Sequence, residues 1–161
     1  MVRNTVHYMD LESLVTVNKE VVLLTNELHG FTPADGEKLK ELLAEVKERA
    51  NNEKFEEAVS EKAALLVFKI ASGQHFRGGN KRTALVAGFV FLRKNGHRIN
   101  ITDPTYVSTV DKVGVAAATL DDLYAVMEGL VQKSPSDRRS WEAAIKQAVG
   151  TNKKFLIETG S

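Results

Sequence analysis

Two stretches of this chain, Phe55 to Ser72 and Thr83 to Asn95, are apolar around nearly the whole circumference of a helix. In the first, Ala58, Leu65, Leu66, Val67, Phe68 and Ile70 leave little polar face in the later turns. The second, "TALVAGFVFLRKN", stays apolar until Arg93 and Lys94. A helix without a polar stripe has to be covered on all sides, so both are expected at the centre of a helical bundle. Gly73 is placed to end the first. Gly96 is placed to end the second, with Arg93 and Lys94 suiting its C-terminal dipole. Between them runs "ASGQHFRGGNKRTA", Ala71 to Ala84, with a histidine, an aromatic, a glycine pair, an asparagine and three cations.

The remaining chain supplies helices to cover that pair. Asp10 reads as an N-cap for a helix to about Glu27, with Leu11, Leu14, Val15, Val21, Val22 and Leu24 as its apolar positions. "HGFTPADGEK" (His29 to Lys38) reads as a loop. Leu39, Leu42, Leu43 and Val46 then mark an amphipathic helix to about Ala50, and "ANNEK" reads as a break. "HRINI" (His97 to Ile101) is a short extended candidate. Asp103-Pro104 reads as N-cap and N1 of another helix. Thr119 with Asp122 forms a capping-box pattern for a helix to about Lys133. Ser134-Pro135-Ser136 reads as a linker. "DRRSWEAAIKQAVG" is a last amphipathic helix, anchored by Trp141, and "TNKKFLIETGS" a tail of unassigned order. The fold class expected is all-α, with about six to eight helices and room for a small β-hairpin flap. Residues 1–133 are expected to form the helical domain, and 134–161 a C-terminal helical extension and tail.

Composition narrows the function classes. A chain of 161 residues is long enough for one domain with its own core. Its formal net charge of +1 gives no overall field for nucleic acid or a membrane surface. No cysteine is present, which excludes thiolate metal sites and a cysteine nucleophile. No apolar run approaches the roughly 18 residues of a membrane helix, and "MVRNTVHYMDLESL" has no apolar signal core. A soluble, cytoplasmic protein is expected, without nucleic-acid or membrane partners.

The polar segment is the chemical candidate. A helix start presents N–H groups with no intrahelical partner and the positive end of the dipole, a combination that receives anions. Gly78-Gly79 lets the backbone turn its N–H groups inward. Asn80 can cap the helix or bond a phosphate or a backbone carbonyl. Lys81 supplies a point charge, Arg82 a fork matched to phosphate, and Arg77 a third cation. Phe76 is expected to anchor the loop in the core. The plainer alternative is a capped turn with solvated cations. Against it, cations in the first turn of a helix oppose the dipole. No glycine precedes Lys81 in a Walker pattern.

The segment resembles the core motif of the Fic/Doc family, H-x-F-x-[D/E]-[G/A]-N-[G/K]-R, and most closely the death-on-curing branch, H-x-F-x-D-A-N-K-R-T-A-L. Phe76, Gly79, Asn80, Lys81, Arg82, Thr83, Ala84 and Leu85 stand in that register, and "FLRKNGHRI" (Phe91 to Ile99) is similar to the F-L-x-x-N-G that follows. The resemblance extends weakly back to about Tyr8 and forward to Leu130. It implies an α-helical protein that transfers AMP from ATP, or the γ-phosphate, to a protein hydroxyl, with a translation factor (elongation factor Tu) as the target in the death-on-curing branch. It further implies a histidine as general base, an acid holding Mg²⁺, and an anion hole at Gly79, Asn80, Lys81 and Arg82. The loop before the second helix, with Phe31, is where the family docks its target.

In the ungapped register Gln74 stands where the histidine belongs, His75 falls on the variable position, and Gly78 replaces the acid. Glutamine takes no proton at neutral pH, and general-base catalysis is worth about a hundred- to ten-thousand-fold. Three outcomes are open. One is a phosphate- or nucleotide-binding protein, with ATP or another nucleotide as ligand and Mg²⁺ weakly held, whose transfer is weak or absent. Another is a non-catalytic regulatory module with an antitoxin-like partner. The last is a divergent transferase with His75 as base. His7, His29 and His97 have no metal-ligand spacing, so no metal residues are assigned. Asp121 and Asp122 read as helix-start acids. Thr16 to Glu20 nearly matches the family's inhibitory pattern, but Val21 breaks it, so these residues are expected on a helix surface.

Overall fold

The computed structural model describes residues 5–49 and 54–160. Among them are eight helices: α1 (Leu11–Thr25), α2 (Pro33–Glu48), α3 (Phe55–Gly73), α4 (Asn80–Lys94), α5 (Pro104–Gly114), α6 (Leu120–Leu130), α7 (Trp141–Thr151) and α8 (Lys153–Glu158). The break expected at "ANNEK" lies outside the described residues, apart from Lys54.

The two all-round apolar stretches are α3 and α4, and they pack on each other at the centre. Helices α2, α5 and α6 cover α3, while α1, α5 and α7 cover α4. Leu66, Val67, Leu85, Val86 and Phe91 lie at the middle of the core with essentially no exposure. Close packing needs Gly88. A Cβ there would collide with Val67 of α3 and come within 2.8 Å of the Tyr106 hydroxyl of α5.

Local capping follows the sequence. Asp10 accepts from the Ser13 N–H, Asp103 from the Thr105 and Tyr106 N–H groups, and Thr119 and Asp122 complete their box. Gly96 is left-handed at φ 75° after α4. Two expectations are corrected, and the unassigned tail is placed. α2 starts at Pro33, inside the expected loop, because Thr32 caps it by accepting from the Asp35 N–H. The left-handed residue that ends α3 is Gln74 (φ 50°, ψ 48°), one position after Gly73. The tail is ordered as α8, with Leu156 wholly buried in the common core beside Ile145 and Val149 of α7. The extension from residue 134 therefore shares the core of residues 5–133.

The small antiparallel sheet pairs His97 with Lys133 (β1, His97–Arg98; β2, Gln132–Lys133) and Arg98 with Gln132. It begins just past the C-terminal end of α4, so it does not cover the polar segment at the N-terminal end. Inside the apolar face of α3, Lys62 is 1% exposed. Its ammonium donates to the carbonyls of Val46, Lys47 and Arg49 at 3.1, 3.1 and 3.2 Å, capping the free carbonyls at the end of α2.

Between β2 and α7, Asp137 binds the Arg139 guanidinium at 3.0 and 2.5 Å and accepts from the Arg139 N–H at 3.0 Å. Hydrogen bonds from Arg139, and then its charge, hold the Asp137 carboxyl down at about 2. A carboxyl depressed in the folded state stabilises the fold above its unfolded value, and that stability is lost as pH falls through the folded one. Asp137→Asn is therefore expected to flatten the loss of urea resistance between about pH 4 and the folded value near 2. An acid limb of the same slope in the variant would show that the pairing contributes nothing.

Candidate functional site

The polar segment begins where α3 stops. With Gln74 left-handed, its side chain turns to α5 and its Nε2 donates to the Gly114 carbonyl at 3.0 Å. The next residue goes elsewhere. The His75 ring lies across Gly73, where any Cβ would strike it, and its Nδ1–H donates to Asp35 Oδ1 at 3.1 Å in the first turn of α2. Bonds from the Thr32 hydroxyl and then from His75 hold the Asp35 carboxyl below the usual carboxylate range.

Phe76 then plunges into the core and meets Phe31 edge-on at 6.0 Å. Asn80 does not cap its own helix. Its side chain accepts from the Phe76 N–H at 3.0 Å and donates to the Phe76 carbonyl at 2.9 Å, which closes the loop on itself. Asn18, buried in α1, ties the other side: it donates to the Gly78 carbonyl at 2.9 Å and accepts from the Gly30 N–H at 3.3 Å. The Arg77 N–H reaches the Gly30 carbonyl at 2.9 Å.

The glycine pair is required on two separate grounds. Gly79 holds φ +70°, a left-handed value that side chains resist, as the N-cap of α4. A Cβ on Gly78 would lie 2.8 Å from the Leu28 carbonyl. What approaches this corner is Glu27, just after α1. Its Oε2 accepts from the Gly79 N–H at 3.2 Å, and its Oε1 accepts from Arg82 at 2.5 Å and from the Thr25 hydroxyl at 2.7 Å.

A cavity of about 300 Å³ opens beside these residues. Gln74, Arg77, Gly78, Gly79, Asn80 and Lys81 line it from the motif, and Glu27, Asp111 and Gly114 from α1's exit and α5. His75 and Arg82 do not line it. Arg82 is 5% exposed and each of its three guanidinium nitrogens has a partner. Besides Glu27 it donates to the carbonyls of Leu156 at 2.5 Å and Ile157 at 3.3 Å in α8. Lys81 pairs with Asp111 at 2.8 Å. Arg77 alone of the three cations is exposed and makes no ion pair among the described residues.

The structure thus gathers Gln74, Arg77, Gly78, Gly79, Asn80 and Lys81 around one cavity and sends His75 and Arg82 to other partners. Its lining holds a helix-start N–H already bonded to the Glu27 carboxylate, the Lys81–Asp111 pair, Arg77, unpaired among the described residues, and the Gln74 amide. Among the described residues, no group of three or more histidine and acidic side chains is placed to hold a metal ion. Asn18, Glu27 and Asp111 were not singled out from the sequence. They reach the segment from α1 and α5, and no local spacing signals that. Thr16 and Glu20 lie within α1, as expected.

The model of the Fic/DOC family matches residues 5–92. No curated protein matches the chain. The matched stretch takes in α1, α2, α3, the polar segment and nearly all of α4, more than half of the sequence, and with the helical fold around it the chain belongs to the Fic/DOC family.

Proposed function

We propose that the chain is a Fic-fold protein of the death-on-curing type that binds the phosphate of ATP or another nucleotide at the start of α4, and that its phosphoryl or nucleotidyl transfer to a protein hydroxyl is weak or absent. The observation that carries this is the Glu27 carboxylate on the Gly79 N–H and Arg82. An oxygen anion of this chain sits where a phosphate oxygen would be received, so the corner has the chemistry of an anion site and its own competitor. Gln74 lines the same cavity and donates to Gly114. An amide there can orient a hydroxyl by hydrogen bonding and cannot take its proton.

The donor set does not suit a Mg²⁺ held by protein. Gly78 offers no side-chain oxygen, and Glu27 and Asp111 are committed to Arg82 and Lys81. A base role for His75 would require its ring to leave Asp35 and the loop to re-form around Phe76, which Asn80 holds at both backbone atoms.

Calorimetry with ATP tests the binding. Glu27→Gln is expected to tighten ATP about tenfold, roughly 1.4 kcal/mol, because it removes a competing charge within hydrogen-bond reach of the phosphate position. Absence of binding by both proteins would sink the reading. Incubation with α- and γ-labelled ATP and cell extract tests transfer. Label is expected to stay near background for this chain and to rise in Gln74→His.

A specific feature favours a second reading, in which the protein is a regulatory module with a protein partner, antitoxin-like or a translation-factor target. Leu28 and Val115 are 71% and 76% exposed. Val115 lines the cavity, and the Leu28 carbonyl faces Gly78. An exposed apolar side chain in the lining, with another exposed on the segment beside Gly78, suits a protein surface closing over the mouth.

A further inference from the structure

The other end of α4 holds a cation with no counterpart. The Arg93 guanidinium carbon lies over the Phe89 ring, 5.9 Å from its centroid. Its Nε is buried with no hydrogen-bond partner, and the side chain forms no ion pair among the described residues. A buried donor left unmade is costly, and nothing in the cavity near Gly78 uses it.

Arg93 lies between two cavities that share Phe89, Arg93 and Asn152. The tighter, about 130 Å³, is lined by Phe89, Val90 and Arg93 of α4, by Ala144 and Ala148 of α7, and by Arg139. Asp137 also lines it, but its carboxylate is taken up by Arg139 through two hydrogen bonds. Arg139 further donates to Gln147. Across Arg93, the second cavity adds Arg98 and Asp103. The Asp103 carboxylate is spent on the Thr105 and Tyr106 N–H groups. The uncompensated charge of the tighter cavity is therefore one guanidinium, set beside an apolar wall.

We propose that this groove between α4 and α7 binds a small amphiphilic anion: an apolar body on Phe89, Val90, Ala144 and Ala148, and a carboxylate or phosphate oxygen pair on Arg93. A guanidinium carries a planar fork of donors suited to an oxyanion, and packing beside an aromatic ring restricts its motion. Cavities of about 150 Å³ take up benzene, so the space suits one aromatic ring.

Nuclear magnetic resonance titration tests this, with benzoate and phenyl phosphate as probes and benzyl alcohol and inorganic phosphate as controls. An aromatic anion is expected to shift the Ala144 and Ala148 amides and the Arg93 Nε–H, at least tenfold more tightly than either control. Benzoate against phenyl phosphate decides which oxyanion is preferred. Arg93→Met keeps the stem on Phe89 and is expected to lose that tenfold. If it does not fold, Gln147→Trp, on the exposed lip of the groove, should block the probes instead. Equal affinity for benzyl alcohol or inorganic phosphate overturns the proposal. So does unchanged affinity in a folded Arg93→Met or Gln147→Trp, movement confined to Gly79 and Gly114, or no movement up to about 10 mM probe.

Discussion

Replacing Arg82 by alanine is expected to remove about 4 kcal/mol of stability, because removing one partner of a buried pair leaves the other charge uncompensated. Arg82 joins three elements. Its guanidinium, 6% exposed, links α4 to Glu27 after α1 and to two main-chain carbonyls of α8. Alanine would leave the Glu27 carboxylate with the Gly79 N–H and the Thr25 hydroxyl but no cation, and the Leu156 and Ile157 carbonyls without their donor. Glu27→Gln should cost less, since the Glu27 side chain is 25% exposed and an amide oxygen still accepts. A double-mutant cycle between the two positions, read by urea unfolding, should give a coupling of about 2 kcal/mol. The same measurement separates two roles for this motif arginine. A free phosphate ligand would lose nucleotide affinity on replacement and leave stability within about 0.5 kcal/mol, as surface changes do. A strut loses stability first. An Arg82→Ala protein with an unchanged unfolding midpoint would overturn the structural role.

Membership of the family and the helical elements around the polar segment were legible in the sequence. Asp10, Asp103-Pro104 and Thr119 with Asp122 cap where their chemistry says they should, since each cap is satisfied within three residues. The burial of α3 and α4 followed from the lack of a polar stripe. The site itself was legible only in part. That Gln74 rather than His75 faces the cavity depends on Gln74 taking the left-handed position expected of Gly73. Glycine at 73 is used differently, to let the His75 ring lie across it. Arg82 read as a phosphate fork because its partners, Glu27 and the α8 carbonyls, are remote in sequence, and α8 carried no clear helical signal. A single capping pattern, Thr32-Pro33 followed by Asp35, was present in the sequence and marks the start of α2. It lay inside a stretch whose glycines and proline pointed to a loop.

Gly88 sets two ordinary rules against each other, and the magnitudes decide which prevails. Alanine is favoured over glycine inside a helix by about 1 kcal/mol, so propensity alone has Gly88→Ala stabilising α4. The added methyl would collide with Val67 and press within 2.8 Å of the Tyr106 hydroxyl, which donates to the Leu85 carbonyl at 3.3 Å. Both neighbours are fully buried, so neither can swing aside without moving α3 or α5. Overpacking of that kind costs about 3 kcal/mol, leaving a net loss of about 2 kcal/mol after the propensity gain. Gly129 in α6 is the internal control. Its Cβ would meet nothing within 4 Å, so Gly129→Ala should gain about 0.5 to 1 kcal/mol. The two substitutions are chemically identical and should differ by about 3 kcal/mol in urea unfolding, with opposite signs. Stabilisation by both would mean that α3, α4 and α5 can separate at Gly88 at little cost. The cavity would then have a soft back wall, since α3 and α5 carry Gln74 and Asp111 into its lining. Destabilisation at Gly88 alone would mean that the helices holding Gln74 against Gly114 are fixed in place by packing, so the Gln74 amide is held facing the cavity by the core.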